Sequence, residues 1–219
     1  MKIHPQGYPS IVKFFFFGLL VDTAIISMSH NSLIAILIVG IFTLIIGFLI
    51  FNFFRVPNRK MIPDENMIFS PADGKIVAIE KFIDTAYFNS ECLQISIFMS
   101  LTDVHINWVP VSGKIVYKRY FPGKHMVALN PKSSEKNERA EIVIKTKNNK
   151  EILVRQVAGI IARRVVNYFS PEDEINQFDE LGIIKFGSRL DVILPLEAKV
   201  SVKLGQKVNA IETCLAKME

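Results

Sequence analysis

The chain predicts a mainly β, α+β protein: a small β-sandwich or barrel-like domain behind an N-terminal membrane helical hairpin. Three observations lead there. Residues 33–51, LIAILIVGIFTLIIGFLIF, carry no charge, and a run of that length crosses a hydrocarbon core of about 30 Å. Beyond residue 60 the chain breaks into short runs rich in β-branched and aromatic residues, punctuated by Gly, Pro and Asn, which is strand composition. Helix signals there are sparse: SPEDEINQF, with Ser170 as N-cap, Pro171 at the first position and acids in the first turn, allows at most one short helix.

The first apolar run, residues 14–28, is shorter than the second and contains Asp22, which costs roughly 3 kcal/mol at mid-membrane on insertion scales. A signal peptide would end in a small-residue cleavage site; none is evident, and a longer apolar run follows at once. We therefore expect two helices, 14–28 and 33–54, turning through SHNS at 29–32, with an interfacial first helix as the alternative. Lys2 and Lys13 precede the hairpin, Arg55, Arg59 and Lys60 follow it, and its loop has no Lys or Arg. The positive-inside bias puts both ends in the cytoplasm. Residues 1–60 are then a membrane-anchoring segment and linker, and 61–219 a catalytic domain on the cytoplasmic side of the cell membrane.

A formal net charge of +5 invites a nucleic-acid reading, but no nucleic-acid-binding motif accompanies it. Beside a bilayer, Lys and Arg meet anionic headgroups instead. Cys92 and Cys214 have no CxxC or His spacing, so neither a metal site nor a disulfide is expected.

The expected strands are residues 75–81, 93–99, 113–119, 141–147, 152–161, 183–186, 189–194 and 199–202. A weak echo runs through them: ADGKIVAI at 72–79, VSGKIVYK at 111–118 and LGQKVNAI at 204–211. Each sets Gly at a turn before an alternating strand and resembles the hammerhead hairpins of biotinyl and lipoyl carrier barrels. Ordinary turn-plus-strand chemistry recurring by chance accounts for it equally well.

Three stretches concentrate reactive side chains. SPADGKI holds Asp73, ordinarily a turn aspartate. MSLTDVHINWVP holds His105, and a lone histidine in such a run is more often structural. IIKFGSRLDVILP sets Gly187 and Ser188 inside an otherwise good strand. A strand glycine ordinarily marks a bulge or bend, but Gly-Ser is also a bond that can be made to break, since glycine leaves its carbonyl unshielded and serine carries a hydroxyl beside it. Together the three supply a nucleophile, a base and a carboxylate, although spacing alone says nothing of proximity.

SPADGKI, DVHIN, NPKSSEKNERAEI, QVAGIIARRVV and FGSRLDVILP occur in this order, and together they resemble the short-form phosphatidylserine decarboxylase proenzymes. The resemblance covers residues 70–195. It implies self-cleavage between Gly187 and Ser188 into residues 1–187 (the beta chain) and 188–219 (the alpha chain), with His105, oriented by Asp73, taking the serine proton. It also implies that Ser188 becomes a covalent pyruvoyl group, with neither metal nor pyridoxal phosphate, which holds the amine of phosphatidylserine as a Schiff base while carbon dioxide leaves to give phosphatidylethanolamine. Long-form relatives have two histidines three residues apart before the proline of this motif; here the second position is Trp108, so His105 either serves both cleavage and decarboxylation or shares them with another group. Arg139 and the Arg163–Arg164 pair are the candidates for the lipid phosphate. The implied partners are the phospholipid, the membrane and the two chains of one proenzyme. A homo-oligomer is left open, and nucleic acid is not expected. An archaetidylserine or related serine-lipid decarboxylase is the alternative, and a membrane-anchored carrier or adaptor module a more distant one.

Overall fold

The computed structural model describes residues 2–29, 32–60, 62–123, 137–159, 165–184 and 188–218, and it divides into two compact units, residues 1–57 and 58–219. In the first, β1 (Lys2–Ile3) leads through a 3-10 turn (Pro5–Gly7) into α1 (Tyr8–Met28), and α2 (Leu33–Phe53) brings the chain back to β2 (Arg55–Val56). Helix α1 starts six residues earlier than expected, with a proline in its first turn, where the missing N–H leaves no bond unmade. Each helix has 21 residues, about 30 Å at 1.5 Å per residue, and both are long and apolar enough to cross a membrane. Asp22 is not left bare in this apolar setting: Thr43 Oγ1 of α2 donates to both of its carboxylate oxygens at 3.0 Å. Lys2 pairs with Val56 and Ile3 with Arg55, so backbone bonds tie the two ends of the hairpin together.

The second unit is mainly β. Its strands are β3 (Met67–Phe69), β4 (Gly74–Asp84), β5 (Ser90–Met99), β6 (Ile106–Trp108), β7 (Gly113–Phe121), β8 (Arg139–Lys145), β9 (Glu151–Ala158), β10 (Val165–Asn167), β11 (Glu174–Ile175), β12 (Glu180–Ile184), β13 (Ser188–Leu194), β14 (Lys199–Val200), β15 (Lys207–Val208) and β16 (Cys214–Lys217). Eight of them form one curled antiparallel sheet in the order β11-β7-β8-β9-β13-β5-β4-β15. Two three-stranded sheets, β10-β12-β6 and β14-β16-β3, complete the unit.

The order reads alike from both ends of the large sheet, and the hydrogen bonds repeat with it. Ile76 N donates to Gln206 O at 2.9 Å as Ile115 N does to Asp173 O, and Gly205 N donates to Ile76 O at 2.8 Å as Glu172 N does to Ile115 O. Both β4 and β7 open on Gly-Lys-Ile-Val, and each has a bulge after its isoleucine, between Ile76 and Ala78 and between Ile115 and Tyr117. The echo of ADGKIVAI and VSGKIVYK is therefore a structural duplication: β3–β5 with β13–β16 make one half, and β6–β12 make the other. LGQKVNAI is not a third copy. It contains β15, the edge strand that pairs with the first copy through Val208 and Gly74.

SPEDEINQF forms no helix. Glu172 sits in the left-handed region at φ 77°, Ser170 N is capped by Asp173 Oδ2 at 2.7 Å, and Glu174 pairs with Lys114 as an edge strand. Sheet pairing has overridden the local helix-start chemistry. The expected strand 152–161 ends at Ala158, and the tails of 152–161 and 183–186 run outside the described residues.

Alternation sorts the central strands into two faces. Met99, Ala140, Ile142, Val154, Ala158, Leu190 and Val192 belong to the main core. The opposite face carries buried charges: Arg155 meets Glu141 at 2.7 Å and Asp84 at 3.4 Å, and Arg189 meets Asp191 at 2.6 Å.

Gly74, at φ 154°, lies against β5, where an added Cβ would stand 2.2 Å from Phe98 O. Gly205 is also left-handed, at φ 82°, but an added Cβ there meets nothing nearer than 3.8 Å. Gly205→Ala therefore carries only the conformational cost of about 1–2 kcal/mol. Gly74→Ala adds a backbone clash, so its denaturation midpoint should fall clearly further in parallel urea titrations of the two variants.

Candidate functional site

Strand register draws the sequence candidates to one end of the large sheet. Ser188 opens β13 and pairs with Met99, the last residue of β5, on one side and with Ala158, the last residue of β9, on the other. On the far side of β5, Lys75 pairs with Phe98, which sets Asp73 at the same end. His105 immediately precedes β6, and its carbonyl accepts from Ile184 N at 3.3 Å. The chain thus leaves the His105 backbone only four residues before Ser188. Gly187 lies in the intervening 185–187, outside the described residues, as do Arg163 and Arg164 within 160–164.

Ser188 and His105 are fully buried, and Asp73 nearly so. Ser188 Oγ meets Met99 Sδ at 3.8 Å; a thioether accepts weakly, so this hydroxyl is lightly held. His105 Nδ1 is 3.0 Å from Asp103 O. A carbonyl can only accept, so in the neutral ring Nδ1 carries the hydrogen and Nε2 the lone pair.

Asp73 is placed at the right end but is held by something the sequence did not assign to it. Arg59 Nη1 and Nη2 grip its two oxygens at 2.6 and 2.7 Å, and Ala210 N donates to Oδ1 at 2.8 Å. Arg59 also donates to Ala210 O at 3.1 Å. The structure thus pairs Asp73 with Arg59 and not with His105. From sequence alone Arg59 is only a charge flanking the hairpin.

Arg139 springs from the face opposite Ser188, since Arg139 pairs with Val157 and Ser188 with Ala158. Its Nε meets Glu141 Oε1 at 3.0 Å and its guanidinium lies 3.9 Å from the Phe121 ring centroid. Trp108, in the position where long-form relatives carry a second histidine, anchors β6 by donating its backbone N–H to Pro71 O at 2.9 Å.

Sequence reasoning missed a buried line of carboxamides beside Ser188. Asn167 Nδ2 donates to Gln156 Oε1 at 3.0 Å, Gln156 Nε2 to Asn107 Oδ1 at 2.9 Å, and Asn107 Nδ2 to Met99 Sδ at 3.6 Å. The signal was available in β9, where Ile152, Val154, Gln156 and Ala158 alternate toward the core: a glutamine in an apolar row needs buried partners. The neighbouring NER motif braces the same end, Asn137 Nδ2 donating to Ala158 O at 2.7 Å and Glu138 Oε1 accepting from Val165 N at 3.1 Å.

A buried hydroxyl, an imidazole and a carboxylate gathered at one end of a sheet, in a chain that opens with an apolar helical pair, define a β-sheet enzyme that carries its own apolar hairpin. Comparison with known proteins makes the class specific. The family model for phosphatidylserine decarboxylase matches residues 46–216. Relatives named phosphatidylserine decarboxylase proenzyme align along nearly the whole chain. That of Amoebophilus asiaticus is 44% identical over 218 residues, 100% of this chain and 97% of its own length. That of Cytophaga hutchinsonii is 44% identical over 216 residues, 99% and 98%, and that of Parabacteroides distasonis 38% identical over 219 residues, 100% and 99%. The chain belongs to the phosphatidylserine decarboxylase family, and it is a decarboxylase.

The Arg59–Asp73 pair generates a stability prediction. Breaking a mostly buried ion pair costs on the order of 3–5 kcal/mol, whereas replacing both partners by apolar groups can be nearly neutral. Arg59→Met and Asp73→Leu should each lower the unfolding midpoint strongly, and the double variant should lose much less than the two losses combined. Simple additivity in this double-mutant cycle would show that the contact contributes no coupling.

Proposed function

We propose that this enzyme converts phosphatidylserine to phosphatidylethanolamine, using a pyruvoyl group that it makes from its own Ser188 by cutting the 187–188 bond. The observation that carries the reading is the placement of Ser188: a buried, lightly held hydroxyl on the first residue of a central strand, four residues after Ile184, whose N–H is bonded to the His105 carbonyl. Proenzyme relatives along the full length support the same reading.

In this reading Ser188 Oγ adds to the carbonyl carbon before it while His105 Nε2 takes the hydroxyl proton. The C–N bond then breaks, the amine of residue 188 takes a proton, and an ester stands where the peptide was. Loss of the Cα proton of residue 188 breaks its Cβ–Oγ bond and releases the carboxylate of the first chain. The resulting dehydroalanine tautomerises to an imine, and water replaces its nitrogen, which departs as ammonia. The ketone so formed is an electron sink for the carbanion left when carbon dioxide departs. Asp73 is the carboxylate of the site; to orient His105 it must exchange Arg59 for the imidazole. The phosphate contact is assigned to Arg163 and Arg164, since Arg139 stands on the other face of the sheet. The hairpin keeps the catalytic unit at the cytoplasmic membrane surface, where its substrate is.

Two chains, 1–187 and 188–219, are therefore expected in the purified enzyme. They should travel together under native conditions, because β13 is bonded on both sides, and separate in denaturant. Ser188→Ala should stay whole and inactive. His105→Ala should slow self-cleavage by roughly 10²–10⁴-fold, as loss of a positioned base does, with Asp73→Asn slowed in the same direction. Intact mass against time after synthesis reads all three, and a single full-length mass in active enzyme would end the reading.

The β1–β2 pairing and the flanking Lys and Arg residues predict that both ends of the hairpin face the cytoplasm. Protease added to intact spheroplasts should leave residues 58–219 undigested until the membrane is opened. Digestion before lysis would reverse the topology.

A further inference from the structure

The carboxamide line has a direction. Phe169 N, a backbone donor, points at Asn167 Oδ1 at 3.3 Å, which fixes that amide with its NH2 toward Gln156. Each later amide is then fixed in turn, so the line runs from Asn167 through Gln156 to Asn107 and ends in Asn107 Nδ2. Asn107 and Gln156 are fully buried, and aligned hydrogen bonds in such surroundings polarise one another, strengthening the terminal donor. That donor rests on Met99 Sδ, the atom on which Ser188 Oγ also rests, at 3.6 and 3.8 Å respectively. A strong amide donor and the reacting hydroxyl thus share one weak acceptor, and Nδ2 has a second hydrogen to give. The reaction places a full negative charge within two bonds of Oγ, on the oxygen of the carbonyl that Oγ attacks.

We propose that Asn107 Nδ2 is the oxyanion donor for self-cleavage, aimed by Gln156 and Asn167 acting as positioning residues. This deepens the processing reading above and rests on it. As Oγ bonds to the carbonyl carbon and His105 takes the proton, the carbonyl π pair moves onto oxygen, and Nδ2 exchanges the sulfur for that oxygen. When the C–N bond breaks, the pair returns and the ester forms. Such a donor acts on the acyl shift and not on the later elimination, which separates it from a residue that serves either step through folding alone.

The test follows full-length chain made by cell-free synthesis into detergent or vesicles, reading intact mass against time with and without hydroxylamine, which cuts esters. Asn107→Asp keeps the acceptor for Gln156 but replaces the donor. It and Asn107→Ala should cleave roughly 10²–10³-fold more slowly than the wild type, the loss typical of a single oxyanion donor. Hydroxylamine should not release the stalled precursor, because no ester has formed. Gln156→Glu, which leaves Asn107 in place but no longer fixes its orientation, should slow cleavage about tenfold. Wild-type speed in a folded Asn107 variant, or prompt release of its precursor by hydroxylamine, overturns the proposal. Should neither Asn107 variant show a cooperative melt, Gln156→Glu decides, and unchanged cleavage there overturns it equally. A wild-type chain that never cuts between 187 and 188 would instead sink the processing reading itself.

Discussion

A strand inside a sheet has no free edge, and the site depends on β13 being such a strand. From Ser188 to Ile193 each residue has a partner on both β5 and β9. A slip of one residue would exchange the two faces, bringing Arg189 to where Ser188 stands. Both faces oppose it. Leu190, Val192 and Leu194 fill the core on one side, while on the other Arg189 is held by Asp191 at 2.6 Å and by Ser96 at 2.9 Å. The position of the Ser188 hydroxyl is thus set by a full ladder and by charges that cannot be moved into the core.

The nested duplication explains how such a strand can begin at a bond proposed to break. In the second half, β8 and β9 are joined by a tight hairpin, with Thr146 N donating to Lys150 O at 2.9 Å and Asn149 left-handed at φ 57°. Lys145 pairs with Lys114 as Phe98 pairs with Lys75, so Met99 and Ser188 occupy the places of that turn in the first half. There the hairpin is open: the chain leaves at Met99, builds the whole second half, and returns at Ser188. A cut at 187–188 severs one of two connections to an inserted unit and leaves the β13 ladder beyond residue 188 in place. The elements that hold residues 188–219 in place are the same before and after it.

Much of this was legible and some was not, for reasons that can be named. The strands expected at 75–81, 93–99 and 189–194 were readable because β-branched runs between turn residues have few other uses, and the structure extends them to 74–84, 90–99 and 188–194. The short helix that SPEDEINQF allows does not form, because Ser170 and Pro171 serve the approach to an edge strand as well as a helix start, and only sheet pairing distinguishes them. Ser188, His105 and Asp73 could be named by residue type and resemblance, and the strand register, invisible in sequence, is what brings them to one end of the sheet. Asn107 was hidden because a single asparagine in a short strand is ordinary; its meaning lies in Gln156, 49 positions away. Arg59 was hidden by a competing explanation, since an arginine near a membrane helix already had a use.

The two halves also separate what the fold requires at position 73 from what the fold does not explain. Ser112 stands before Gly113 as Asp73 stands before Gly74. Its Oγ accepts from Gln177 N at 2.9 Å, as Asp73 Oδ1 accepts from Ala210 N at 2.8 Å. Capping that amide is therefore a task of the duplicated fold, and a neutral hydroxyl does it as well as a carboxylate. A buried charge carries a desolvation penalty that a hydroxyl avoids, and Asp73 needs the two-pronged grip of Arg59 to offset it. The cap does not account for the charge. The half that bears a carboxylate at this position is also the half whose hairpin is open at Ser188, which is where the proposed chemistry needs a carboxylate.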